Sequence, residues 1–181
     1  AHASNPDIRV IVDNTSCTPY LQRPLELGAD VVVHSATKYL CGHNDVVAGI
    51  AVVKSQEMAD FFHAQQKSHG NGLAPFDSWL ILRGLKTLSL RMQRHNENAK
   101  QVAQWLRKHP RVRQVYYVGF EDHPGYEVNR KQSTGFGGMI SFELDSEETA
   151  HRLLSDVKMI LFAESLGGTE TLVTYPITQT H

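Results

Sequence analysis

Two short stretches of this 181-residue chain hold side chains that could do chemistry together. The apolar run Val10-Ile11-Val12 ends in Asp13-Asn14-Thr15, and Asp30-Val31-Val32-Val33 leads into His34-Ser35-Ala36-Thr37-Lys38. Both runs read as short strands. Ligands of open α/β sheets bind outside the carboxyl ends of strands, so Asp13 and Lys38 would face one crevice. A buried carboxylate and a lysine flanked by two hydroxyl residues suit pyridoxal phosphate. The lysine would form the Schiff base, and the carboxylate would keep the pyridine nitrogen protonated, which makes the ring an electron sink. A carboxylate ~4 Å from that nitrogen would interact with it by about 4 kcal/mol at an effective dielectric of about 20. Ser35 and Thr37 carry short hydroxyls that can donate to phosphate oxygens.

Other constellations are weaker. His34, Cys41 and His43 lack the spacing of a zinc site and have no evident fourth ligand, so no metal is expected. Gly135-Phe136-Gly137-Gly138 is neither GxGxxG nor a P-loop, and reads as a turn into the next strand. Asp77-Ser78 reads as a helix cap rather than a nucleophile, because no histidine–aspartate pairing accompanies it. The ten histidines are scattered and read as surface or core residues.

The elements that must position these residues follow from the pattern. Three short apolar runs, at 10–12, 30–34 and 46–53, show no polar alternation. They suggest strands buried on both faces of a mostly parallel α/β sheet. Pro24 to Leu27 reads as a short helix ended by Gly28. Glu57 to Lys67 reads as a second helix. From Asp77 a helical pattern runs through Leu80, Leu85, Leu88 and Met92 to Ala103 and Leu106, and Pro110 stops it. Some thirty helical residues exceed the usual length, so a bend is expected near Arg94–Asn98, which is also the expected domain boundary. Beyond it, strands at 112–118, 139–144 and 159–163 surround a helix at 147–156. Asp145 and Glu148 look like its capping box. This second part reads as a smaller α+β unit.

Composition narrows the function classes. Lys plus Arg is 18 and Asp plus Glu is 19, with no basic block. That argues against nucleic acid as the main partner. Cys17 and Cys41 form no CxxC and no disulfide framework, which fits a reducing cytoplasmic setting. No apolar run approaches the ~20 residues a membrane helix needs, so no membrane partner is expected. The chain opens on a polar helix tail feeding a strand and stops at Thr180-His181 after an apolar one. Three short strands cannot cover their own edges, so further parts are expected on both sides.

The motifs also resemble a known family. Val12-Asp13-Asn14-Thr15, Arg23-Pro24-Leu25-Glu26-Leu27-Gly28-Ala29-Asp30, His34-Ser35-Ala36-Thr37-Lys38-Tyr39 and Gly42-His43 resemble the transsulfuration (Cys/Met metabolism) pyridoxal-phosphate enzymes. Arg83-Gly84-Leu85-Lys86-Thr87-Leu88, Arg91-Met92, Gly137 to Phe142 and Glu164-Ser165-Leu166-Gly167-Gly168 extend the match over nearly the whole chain. The resemblance implies an aspartate-aminotransferase-like fold (fold type I), present in part. Residues 1–93 would be the second half of the cofactor domain, and 94–181 part of a C-terminal α+β domain. It implies Lys38 as the cofactor lysine, Asp13 as the pyridinium partner, and Ser35 and Thr37 as phosphate contacts. Thr15 would lie behind the ring, and Ser165 near the substrate carboxylate.

The family's phosphate-binding glycine turn, its ring-stacking tyrosine and the tyrosine and arginine lent by a neighbouring subunit would precede Ala1. Its carboxylate-clamping arginine would follow His181. Small amino-acid substrates and a homotetramer built as a dimer of dimers are further implications. Pro75 to Leu80 and Thr174 to His181 look most like cystathionine γ-synthases, which join O-acylhomoserine and cysteine. Cystathionine β- or γ-lyases are the alternative. A non-catalytic fragment or assembly subunit is the rival from another class.

Overall fold

The computed structural model describes residues 3–5 and 7–179. Thr180 and His181 of the C-terminal motif lie outside the described residues, as do Ala1, His2 and Pro6. Strand β1 (Ile11–Asp13) is followed by the short helix α1 (Thr18–Leu21), then β2 (Val31–Ser35) and β3 (Gly49–Val53). Helices α2 (Gln56–His69), α3 (Pro75–Leu85) and α4 (Leu88–Leu106) come next. The remainder runs β4 (Val112–Tyr116), α5 (Tyr126–Gln132), β5 (Ser141–Leu144), α6 (Glu147–Asp156), β6 (Leu161–Phe162), β7 (Leu172–Val173) and α7 (Pro176–Gln179). Among the described residues, no helix is long and apolar enough to cross a membrane.

The first sheet has the order β1-β2-β3. β1 pairs parallel with β2, placing Asp13 opposite Val33, whereas β2 pairs antiparallel with β3. The expectation of a mostly parallel sheet is therefore corrected. A parallel crossover needs a dozen or more residues that return the chain to the starting end, usually as a helix. Residues 36–48 contain no helix and turn straight back. Burial also differs from strand to strand. Val31, Val32 and His34 of β2 are buried, but β1 is the sheet edge and Ile11 is 62% exposed.

Several local expectations change for identifiable reasons. Pro24 to Gly28 is a hydrogen-bonded turn rather than a helix, with Gly28 at φ 104°. Helix α2 begins at the Ser55 cap, whose hydroxyl accepts the Met58 N–H at 3.2 Å, and ends on left-handed Gly70. Asp77 does not cap α3. Ala74 holds that position with Pro75 behind it, and Asp77 lies in the first turn, where a carboxylate suits the helix dipole. Ser146, not Asp145, caps α6, and its hydroxyl accepts the Thr149 N–H. Asp145 instead accepts from Arg111 and from the Thr149 hydroxyl. Strand β7 and helices α1 and α7 are too short to leave a periodic signal.

The long helical stretch breaks at Lys86-Thr87, not at 94–98. The Lys86 N–H reaches back to the Arg83 and Gly84 carbonyls, and Thr87 N–H bonds Gly84 O at 3.1 Å. This tightened end lets Gly84 lie flat on the chain at Cys41. The new direction carries α4 unbroken through 94–98, from one apolar core to another. Leu88 and Met92 join Leu21, Tyr39, Leu40 and Ile81. Ala99 and Ala103 join Val115 and Tyr117.

A Cβ on Gly84 would sit 2.1 Å from the Cys41 carbonyl oxygen. No side chain could bend away, because both partners are backbone. Gly84→Ala is expected to cost about 1–3 kcal/mol, the usual range for overpacking. Urea unfolding of variant and parent checks it, and an unchanged midpoint would show that the contact is not tight.

Candidate active site

Asp13 and Ser35 end neighbouring parallel strands, so their side chains emerge at one edge. Thr15 ties the two ends together. Its N–H donates to Asp13 Oδ1 at 2.9 Å, and its hydroxyl oxygen accepts the Ser35 N–H at 2.8 Å. Asn14, nearly fully buried, prolongs the ladder by donating its N–H to Val33 O, and its side-chain amide donates to Gln22 O at 2.9 Å. Asp13 itself is exposed, which corrects the expectation of a buried carboxylate and follows from the edge position of β1.

The Thr15 hydroxyl, and after it the Thr15 N–H, hold the Asp13 carboxyl below its ordinary pKa. Neighbouring His34 adds a smaller pull in the same direction. His34 is 6% exposed, and its Nδ1 has no hydrogen-bond partner among the described residues. Burial pushes the imidazole pKa down, and Asp13 only partly offsets this.

Residues 36–42 form a compact turn that presents Lys38. The Lys38 N–H donates to Ser35 O at 3.1 Å, Cys41 N–H to Ala36 O at 3.0 Å, and Gly42 N–H to Lys38 O at 2.8 Å. Thr37 fastens the turn to the approach of β3. Its hydroxyl accepts the Ala48 N–H at 2.9 Å and donates to Ala48 O at 3.3 Å. Ser35 Oγ makes no hydrogen bond to another described residue, so it is the freer of the two hydroxyls.

The second half of the chain closes over this turn. Lys38 Nζ donates to Ser165 Oγ at 3.2 Å, across 127 residues of sequence. Two residues on, Gly167 adopts φ 82°, and a Cβ there would lie 2.5 Å from the Tyr39 backbone nitrogen. Leu166 packs against the first core, and Asn44 donates to Glu170 at 2.6 Å. Sequence reasoning picked out Ser165 but not Gly167 or Asn14. The Gly167-Gly168 pair was the available signal for a close backbone approach.

The structure therefore makes two contacting groups of the six candidates: Asp13, Thr15 and Ser35 at the strand ends, and Lys38, on the turn after β2, with Ser165. Thr37 braces the turn. An open cavity of about 540 Å³ beside β3 and α3, lined by Ala48, Gln66 and Asp77 among others, includes none of the six. The donor set fits pyridoxal phosphate: a primary amine, a carboxylate held ionised, and an unpartnered hydroxyl, all near one end of the sheet.

Because Asp13 has a depressed pKa in the folded state, it contributes stability that is present above the ordinary carboxylate pKa. That stability is lost as pH falls through the folded value. Thr15→Val removes the leading cause and is expected to raise the Asp13 pKa. Carbon-detected NMR titration of the Asp13 carboxyl reads this directly, and an unmoved midpoint would reject the Thr15 hydroxyl as the cause.

The profile of the family described as "Cys/Met metabolism PLP-dependent enzyme" matches residues 1–181. The chain is 50% identical over 179 residues to the cystathionine gamma-lyase of Bacillus subtilis, covering 99% of this chain and 47% of that protein. It is 49% identical over 181 residues to the cystathionine beta-lyase of Lactococcus lactis subsp. cremoris, covering 100% and 48%. Among solved structures, a cystathionine gamma synthase from Xanthomonas oryzae pv. oryzae in complex with aminoacrylate and cysteine superposes with a TM-score of 0.95. It is 43% identical, with 99% of this chain and 46% of that one covered. The chain spans about half the length of the curated relatives it matches. Over all of its residues the chain belongs to the Cys/Met metabolism family of enzymes, whose cofactor is pyridoxal 5'-phosphate.

Proposed function

We propose that this chain carries the cofactor-lysine portion of a pyridoxal-phosphate enzyme that makes or breaks a bond from the Cβ or Cγ of an amino acid to sulfur or oxygen. The observation that supports it most is Lys38 Nζ, held by Ser165 on the turn that follows the end of β2, the strand paired with the one that ends in Asp13. Lys38 would hold the cofactor, and its Nζ, when free, would take the Cα proton. That step needs the Nζ lone pair and a fixed direction of approach. Ser165 Oγ accepts a hydrogen bond from Nζ and limits where the amine can swing, and it would also bind the substrate carboxylate. Asp13, whose carboxylate accepts the Thr15 N–H, would keep the ring nitrogen protonated. Ser35 donates to the phosphate. Thr37 joins it if its hydroxyl rotates away from Ala48 O. The bound cofactor supplies the conjugated electron sink for negative charge at Cα.

The wider reading is an aspartate-aminotransferase-like, fold type I enzyme that is cytoplasmic and homotetrameric. Residues 1–93 belong to its cofactor domain and 94–181 to its C-terminal domain. The specific reaction we assign is γ-replacement, joining O-acylhomoserine and cysteine, on the strength of the sequence of residues 75–80 and 174–181. A second reading, cystathionine β- or γ-lyase, is favoured by the names of the relatives at 49–50% identity. Lys38 and Asp13 serve both reactions alike, so they do not discriminate. The pocket that admits a thiol or releases the leaving group does.

Borohydride reduction of the cofactor-loaded protein followed by peptide mapping is expected to label Lys38. A label on another lysine, or none, would refute the assignment, and the absence of any label would favour the non-catalytic rival. Asp13→Asn is expected to retain cofactor while kcat falls by roughly 100-fold or more, the scale of losing a preorganised electrostatic partner. Near-normal kcat would reduce Asp13 to a packing role. One preparation assayed in both directions separates the reactions. Cystathionine formation should outpace keto-acid release from cystathionine, and the reverse ranking would move the protein to the lyases.

A further inference from the structure

Arg91, in the first turn of α4, is 9% exposed and points into the protein rather than out to water. Its guanidinium reaches the far side of the lysine turn. Nη1 donates to Tyr39 O at 2.7 Å, and Nη2 donates to Gly84 O at 2.9 Å and more weakly to Leu40 O at 3.4 Å. Nε donates to Thr87 Oγ1 at 3.0 Å. Among the described residues no carboxylate lies within salt-bridge distance of it. A buried cation satisfied only by neutral oxygens is an expensive arrangement. It also stands at the N-terminal end of its own helix, where the dipole disfavours positive charge. The compensation lies across the contact, because Gly84 O belongs to the C-terminal end of α3, where a cation is favoured. The fit is close enough that a Cβ on Gly42 would lie 2.1 Å from Nη1.

We propose that Arg91 is a positioning residue for Lys38. By gripping the carbonyls of Tyr39 and Leu40, it fixes the peptide units that follow Lys38 and so fixes the direction of the Lys38 side chain. The backbone at Gly167 also lies close to Lys38 C and Tyr39 N, and Ser165, two residues before it, receives Nζ. A planar fork with five donors can serve three carbonyls and a hydroxyl at once, whereas an ammonium cannot span them. Apolar packing would hold the turn in place but leave those carbonyls free to rotate. This inference rests on the reading of Lys38 as the cofactor lysine.

The test uses the cofactor-loaded protein with Arg91→Lys, Thr87→Val and, as a control in the second core, Val115→Ala. Val115 is buried beside Tyr117, away from the lysine turn. Arg91→Lys is expected to bind cofactor in normal stoichiometry but to lose most of the visible circular dichroism of the bound chromophore. Its kcat should fall roughly 10–100-fold, the scale expected of a misplacement near 1 Å, with KM little changed. Thr87→Val, which removes only the Nε acceptor, should change both in the same direction by less. Val115→Ala should lower Tm while leaving dichroism and kcat unchanged. Normal dichroism and kcat in Arg91→Lys, with the borohydride label on Lys38, would overturn the proposal and spare the Lys38 reading. Equal effects from Val115→Ala at equal Tm would overturn it too, by showing that general stability is the cause. A label on another lysine removes the Lys38 reading and this proposal with it.

Discussion

The site depends on a contact between two stretches of backbone. Gly84, near the end of α3, lies against the carbonyl of Cys41, at the end of the turn that carries Lys38. Nothing larger than a hydrogen fits between them, so the helix axis and the turn share one position. The break after Leu85 lies at this contact, where the Lys86 and Thr87 N–H groups turn back onto the Arg83 and Gly84 carbonyls. The direction of α4 follows in turn, and with it the placement of Met92 against the first core and Ala103 in the second. The reactive amine stands on this frame rather than on a free loop, as accurate placement of a catalytic group requires.

Electrostatics at the strand ends act on a different scale. Asp13 is exposed among the described residues, and the Thr15 hydroxyl and N–H hold its carboxyl pKa below the ordinary value, against the smaller opposing effect of burial. Thr15 contributes both a hydroxyl and an N–H within one turn of backbone, and the same hydroxyl oxygen accepts from Ser35. One threonine therefore lowers the pKa of the carboxylate and joins it to the neighbouring strand.

Much of this was legible in the sequence because it is local. Asp13, Ser35 and Lys38 follow apolar runs whose composition alone marks strand ends, and the extents of α2 and α6 follow from their own patterns. The rest is set by contacts that composition does not encode. The antiparallel β2–β3 pairing depends on a turn that doubles back. The helix break depends on Gly84 meeting Cys41, which lies 43 positions earlier in the numbering, so the expected bend at 94–98 was misplaced. Asp13 was read as buried because its run is apolar, and whether a strand is central or at an edge is a property of the sheet. The grip of Arg91 was invisible for the same reason: a single arginine on an amphipathic helix reads as solvent-facing until its acceptors are known.

The most direct test of the account is a crystal structure of the cofactor-loaded protein. Continuous density from Lys38 Nζ to the aldehyde carbon of the cofactor is expected, with the pyridine nitrogen facing the Asp13 carboxylate and Gly84 still seated on the Cys41 carbonyl. A cofactor joined to a different lysine, or a ring nitrogen turned away from Asp13, would contradict it.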